Sequence, residues 1–148
     1  MTLRFFDELP EDRVEDVRGA AGVAAAGVSG FDLELEGLGC FPRRGPAKVV
    51  WVGCDAGREA LVALAEAISL ALLGRGFPGD LRPFSPHLTL ARARNRHGSS
   101  AVAAAVRSCA VAAGPLGRVR VDRLLFIHST LGSGPPRHDV LGTFPLAV

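Results

Sequence analysis

Lysine is almost missing from this chain: Lys48 is the single one among 148 residues, and arginine supplies the rest of the positive charge. The bias is read as the mark of a GC-rich genome rather than of a function. Cysteine is scarce too. Cys40, Cys54 and Cys109 are scattered and odd in number, which excludes zinc-type spacing and suits small, reduced core residues of a cytoplasmic protein. No apolar run is long enough to span a membrane, because Glu66 interrupts the best candidate. The N-terminus lacks the basic and apolar regions of a secretory signal. No Walker loop or Rossmann fingerprint is present, and Ser69, Ser108 and the cysteines lack nucleophile-elbow or Cys–His contexts.

What is there suits one compact domain over residues 1–148, with no linker to divide it. Apolar residues make up 48% and charged ones 22%, an ordinary globular balance. The net charge of +2 hides an asymmetry. Residues 1–80 hold eight basic and thirteen acidic side chains, a net of −5, whereas residues 81–148 hold nine arginines against Asp122 and Asp139, a net of +7. A cationic second half suits an anionic ligand such as a phosphate, which arginine meets with a planar, two-pronged donor. A solvated arginine surface accounts for the charge equally well.

Thr2 to Phe6 reads as a strand. Pro10 then opens a helix whose first turns carry Glu11, Asp12, Glu15 and Asp16, where negative charge complements the helix dipole. Val14, Val17 and Ala21 form its weak apolar stripe. Phe31–Glu36 alternates between apolar and acidic residues, the pattern of a half-buried strand. A Pro/Gly/Arg turn from Pro42 to Pro46 leads into a strand over Val49–Cys54, so the pair reads as an antiparallel hairpin. Asp55 is placed to cap a second helix with Leu61, Leu64, Ile68 and Leu72 at helical spacing, ended by Gly74 or Gly76. Pro83 and Pro86 force extended backbone into a strand over His87–Arg92. An alanine-rich helix from about Ser99 to Ala112 follows. A strand over Val119–Leu131, a turn over Gly132–Pro136 and a last short strand ending near Phe144 close the chain. The order is α+β.

The stretch that carries chemistry is Arg82-Pro83-Phe84-Ser85-Pro86-His87-Leu88-Thr89-Leu90-Ala91-Arg92. On a strand, His87 and Thr89 project from one face while Leu88 and Leu90 point into the core from the other. An imidazole can exchange a proton near neutral pH, and the neighbouring hydroxyl can donate to a phosphoryl oxygen. Arg92 adds positive charge, although strict alternation aims it at the opposite face, and a bend at the strand end is needed to bring it round. The three residue types alone also fit a histidine that merely hydrogen-bonds within a strand.

The whole stretch resembles the second signature of the RNA 2′,3′-cyclic phosphodiesterases, also called 2′-5′ RNA ligases, which reads Phe-x-Pro-His-Leu-Thr-Leu-x-Arg and is matched by residues 84–92. Leu38-Gly39-Cys40-Phe41-Pro42 followed by Val49-Val50-Trp51-Val52-Gly53 is similar to the family's central hairpin. Val121-Asp122-Arg123-Leu124-Leu125-Phe126 with Ser129 and Leu131 is similar to its penultimate strand. The resemblance implies two pseudo-symmetric lobes of small antiparallel sheets flanked by helices around a cleft, each lobe bearing a His-x-Thr motif. One histidine activates water and the other protonates the leaving sugar oxygen. Threonines and nearby basic side chains hold the phosphate, and neither metal nor cofactor is required.

The family's first signature is His-x-Thr-Leu-(Lys/Arg)-Phe, and Met1-Thr2-Leu3-Arg4-Phe5-Phe6 fits it from the second position onward, with Asp7 in place of the usual glycine. The first histidine therefore falls just before Met1, and the family's first strand and helix are expected to be lacking. Three explanations stand side by side: a start codon chosen inside the gene, a true truncation, or replacement by another histidine. His128-Ser129-Thr130-Leu131 spells His-x-Thr-Leu again, which makes His128 the candidate replacement. His97 and His138 read as surface residues.

The resulting expectation is hydrolysis of RNA 2′,3′-cyclic phosphate ends to 2′-phosphates, with 2′-5′ joining as the reverse reaction. His87 would be the general acid or base, Thr89 its partner, and Thr2, Arg92 and Arg4 the phosphate contacts. The partners would be RNA or nucleotides bearing the cyclic phosphate. Self-association through a sheet left uncovered is expected as well. The alternative is a catalytically impaired module that binds RNA or nucleotide phosphate.

Overall fold

In a computed structural model, residues 1–80, 82–93, 98–110, 114–132 and 134–148 are described. The elements are a 3-10 turn (Glu11–Arg13), α1 (Val14–Ala26), β1 (Phe31–Phe41), β2 (Val49–Cys54), α2 (Arg58–Leu73), β3 (Leu88–Arg92), α3 (Ser99–Ala110), β4 (Pro115–Val121), β5 (Arg123–Thr130) and β6 (Arg137–Pro145). Helices and antiparallel sheets are segregated, as an α+β fold requires. The chain divides into two compact units. The first comprises residues 1–3, 32–62 and 84–120, and the second residues 4–31, 63–83 and 121–148.

Unit 1 is built on a four-stranded sheet in the order β3-β2-β1-β4. The β1–β2 hairpin forms as the sequence predicts, but β1 runs five residues beyond Glu36. Gly37 is an extra residue in the ladder, since Glu36 faces Gly53 and Leu38 faces Val52. Its φ of +74° is one that glycine adopts without penalty, the signature of a bulge. The bulge moves the apolar phase from odd to even positions, so Leu33 before it and Cys40 after it are both buried. On the core face Cys40 packs with Ala47 and with Ala103 and Val106 of α3. Ion pairs from Arg118 to Glu34 (3.7 Å) and from Arg120 to Asp32 (3.4 Å) join β4 to β1.

In unit 2, Val17, Ala20, Leu72 and Phe77 form a core against which Phe6, Leu9, Ile68, Ala71 and Phe126 pack. Of the stripe expected on α1, Val17 is buried and Val14 and Ala21 are half-buried. The α2 stripe is as predicted, with Leu61, Leu64 and Leu72 buried. That helix ends in a Schellman turn: the Phe77 N–H donates to the Leu72 carbonyl at 3.1 Å and the Gly76 N–H to that of Leu73 at 2.9 Å. The two-stranded β5–β6 sheet leaves Leu125, Ile127 and Val140 exposed.

Several expectations need correction. Thr2–Phe6 is not a strand, and residues 1–10 carry no ladder. Side chains anchor this segment instead: Arg4 pairs with Asp80 and donates to the Pro78 carbonyl at 2.8 Å, and Phe6 meets Phe77 edge-on at 5.7 Å. The long strand expected over Val119–Leu131 breaks at Asp122 into β4 and β5, which lie in different sheets. The Asp122 carbonyl accepts the Leu146 N–H at 2.8 Å, outside either ladder. α2 starts at Arg58 rather than beside Asp55, whose carbonyl accepts the Arg58 N–H at 3.0 Å. β3 starts at Leu88, one residue after His87, and the last strand reaches Pro145. α3 is seen to Ala110; residues 111–113 and His97 lie outside the described residues.

Candidate active site

Pro83 and Pro86 fix extended backbone, and β3 then pairs antiparallel with β2. The register is what makes a site. Thr89 stands opposite Trp51, and Arg92 opposite Val49, with a bulge in between where Val50 faces Ala91. Directly opposed residues share a sheet face, and so do Val49 and Trp51, two apart on β2. The extra residue is Leu90, which is 55% exposed and not in the core as strict alternation predicts, because the bulge leaves it without a partner on β2. Through this bulge Arg92 turns onto the face of Thr89 and Trp51, and that supplies the bend the alternation of the sequence called for.

Two aromatic rings share that face. Phe41 meets the His87 ring edge-on at 5.2 Å and 88°, Trp51 meets it at 6.5 Å and 63°, and the two rings lie 5.3 Å from one another. Trp51 can lie there because Gly39 stands opposite it on β1; a Cβ at that position would fall 2.2 Å from the Trp51 ring. The imidazole is also fixed from the other side. His87 Nδ1 lies 2.7 Å from the Ser85 carbonyl oxygen. A carbonyl only accepts, so Nδ1 carries the hydrogen in the neutral ring, and Nε2 is the nitrogen left to take up or release a proton.

Thr89 and Arg92 thus share one face of unit 1, the face on which the His87 ring meets Phe41 and Trp51. Thr2 belongs to the same unit and is exposed. Arg4 belongs to unit 2, where its guanidinium is occupied by Asp80 and Pro78 and stands 5.6 Å from the Phe6 ring. His128 also belongs to unit 2, exposed on β5 opposite Asp139. Beside it, the Ser129 hydroxyl donates to Nδ1 of exposed His138 at 2.8 Å or accepts from it, as the tautomer decides. Among the described residues, no group of three or more His, Cys, Asp or Glu side chains could hold a metal ion. Sequence reasoning missed Phe41 and Trp51 as neighbours of His87. Their signal was the hairpin register, which places Phe41 opposite Val49 and Gly39 opposite Trp51.

The model of the 2′-5′ RNA ligase superfamily matches residues 1–132, and the chain belongs to that superfamily. It is 36% identical over 92 residues to an RNA 2′,3′-cyclic phosphodiesterase of Aeropyrum pernix, a match covering 62% of this chain and 51% of that protein. The namesake from Geobacillus stearothermophilus is likewise 36% identical over 92 residues, with 29% of its length covered. The chain therefore matches about half or less of the length of these relatives. With the Aquifex aeolicus namesake, identity is 26% over 148 residues, covering 99% of this chain and 77% of that protein. Among solved structures, TT0787 of Thermus thermophilus superimposes with a TM-score of 0.74 at 26% identity, covering 97% of this chain and 75% of that one. E. coli LigT complexed with 3′-AMP shares the fold, with a TM-score of 0.71 at 23% identity over 99% of this chain and 75% of its own.

Proposed function

We propose that this chain opens 2′,3′-cyclic phosphates on RNA ends or nucleotides, leaving a 2′-phosphate, and that the reverse reaction joins RNA ends through a 2′–5′ linkage. One observation supports the reading above the others: the bulge in β3 turns Arg92 onto the sheet face of Thr89. In hydrolysis, a water oxygen bonds to phosphorus as the bond from phosphorus to the 3′ oxygen breaks. One proton leaves the water and another arrives on the 3′ oxygen. His87 Nε2 performs one of these two transfers. The Thr89 hydroxyl donates to a non-bridging phosphoryl oxygen, and the Arg92 guanidinium holds the developing charge. Thr2 and Arg4 are proposed as further phosphate contacts. The chemistry asks for no metal or cofactor, and a cytoplasmic setting suits it.

A second reading is a phosphate-binding module without turnover, in which Thr89 and Arg92 hold the phosphate and His87 moves no proton. Turnover of cytidine 2′,3′-cyclic phosphate separates the two. Joining an engineered strand segment that ends in His to Met1 should raise the rate by about 10²-fold or more, the contribution of one positioned acid or base. In that extended protein His87→Ala should abolish the gain. No gain from the added histidine and no loss from His87→Ala would sink the hydrolytic reading.

A further inference from the structure

The charge of the unit 1 sheet is sorted by end. Asp32, Glu34 and Glu36 lie in the first half of β1, with Asp55 just past β2, and there Arg118 and Arg120 are neutralised by Glu34 and Asp32. At the opposite end, the hairpin loop carries Arg43, Arg44 and Lys48, all exposed, and Arg92 stands opposite Val49, the first residue of β2. No acidic residue occurs anywhere in residues 37–54 or 81–121. None of these four cations has an ion pair or side-chain hydrogen bond among the described residues.

This end is joined to the candidate active site. The Lys48 N–H donates to the Phe41 carbonyl at 2.7 Å, and the Ala93 N–H to the Lys48 carbonyl at 2.9 Å, so the loop cations follow directly on the residue whose ring touches His87. An ordinary solvated surface mixes both signs of charge, as the β1–β4 end does. A patch of one sign beside a site for an anion is an electrostatic footprint. A mononucleotide brings one phosphate, already met by Thr89 and Arg92, and leaves Arg43, Arg44 and Lys48 with nothing to bind.

Resting on the reading of His87, Thr89 and Arg92 given above, we infer that this hairpin end binds the backbone phosphates of a single RNA strand leading up to the reacting end. The preferred ligand is then an oligonucleotide and not a mononucleotide. The test is the affinity of a fluorescent ten-nucleotide RNA with an ordinary 3′-hydroxyl end, read by anisotropy between 50 and 200 mM salt. Each cation on a single strand adds about 0.7 to the salt slope, so the R43Q/R44Q/K48Q variant should lose about 2 from it. Its affinity at low salt should fall about tenfold or more, while its affinity for a nucleoside 2′-monophosphate changes less than about twofold. An unchanged salt slope, or an equal loss for the monophosphate, overturns the inference. Binding needs no turnover, so a failure of the hydrolytic reading shows separately, as a strand bound with the expected salt slope but no cyclic phosphate opened.

Discussion

The chain spells His-x-Thr-Leu twice, at His87–Leu90 in unit 1 and at His128–Leu131 in unit 2, and the two copies sit in opposite surroundings. His87 is half-buried, bracketed by Phe41 and Trp51, with Nδ1 against the Ser85 carbonyl at 2.7 Å. His128 is exposed on β5, and its ring makes no hydrogen bond, ion pair or ring contact among the described residues. Arginines differ in the same way. Arg4, Arg13, Arg18, Arg123 and Arg137 in unit 2 are each paired with a carboxylate, as are Arg118 and Arg120 at the far end of the unit 1 sheet, whereas Arg43, Arg44 and Arg92 at the hairpin end have no such partner among the described residues. Four letters do not make a site. What distinguishes the copies is the prolines ahead of the first, the aromatic rings across the hairpin and the bulge that turns an arginine onto the same face.

The largest effect expected from this contrast is catalytic. In the protein extended with a histidine, His87→Ala should lower turnover of a cyclic nucleotide about 10²–10⁴-fold. The matching His128→Ala should change it less than about twofold. The comparison breaks if the unextended chain turns over substrate well and loses that activity on His128→Ala; the second copy would then be the replacement histidine.

Next come two glycines, each beneath an aromatic ring. A Cβ at Gly39 would lie 2.2 Å from the Trp51 ring, in the middle of a paired hairpin, whereas one at Gly142 would lie 2.8 Å from the tip of Phe144, two residues along the same strand. Gly39→Ala should therefore cost about 1–3 kcal/mol in a denaturant titration, the usual range for overpacking, and Gly142→Ala less. Because Trp51 braces His87, Gly39→Ala should also reduce turnover in excess of any loss of folded protein. An equal or larger destabilisation from Gly142→Ala would show that Trp51 is free to move aside.

Much of this contrast was legible in the sequence, but not all. The β1–β2 hairpin, the apolar stripe of α2 and the strand holding Thr89 follow from local periodicity and from proline. The alternation of β1 was read only to Glu36, because Gly37 enters as a bulge and shifts the phase for Leu38 and Cys40. The same effect hid the placement of Arg92, since strict alternation cannot foresee the extra residue at Leu90. Thr2–Phe6 looked like a strand by composition, yet its polar and aromatic side chains are drawn to Asp80 and Phe77, partners more than 70 residues away that no local pattern encodes. Phe41 and Trp51 read from the sequence as hairpin residues, but their contact with His87 depends on a register fixed only when β3 joins β2.

The smallest effect concerns the thiols. Cys40 and Cys54 lie in the unit 1 core, while Cys109 on α3 is exposed. Burial holds the Cys54 thiol above its ordinary value, the charge of Asp55 adds to that, and Arg58 works against it. Only a thiolate attacks an alkylating reagent, so Cys54 is protected twice, by access and by protonation. The folded thiol keeps its proton to higher pH than the unfolded one, so its contribution is intact below the ordinary thiol value and is lost as pH rises through the raised one. Iodoacetamide at pH 8 should therefore label Cys109 at least about tenfold faster than Cys54, the gap closing in denaturant. Labelling of Cys54 at the rate of Cys109 in the folded protein would mean that the β1–β2 hairpin opens readily, and with it the floor on which His87 rests.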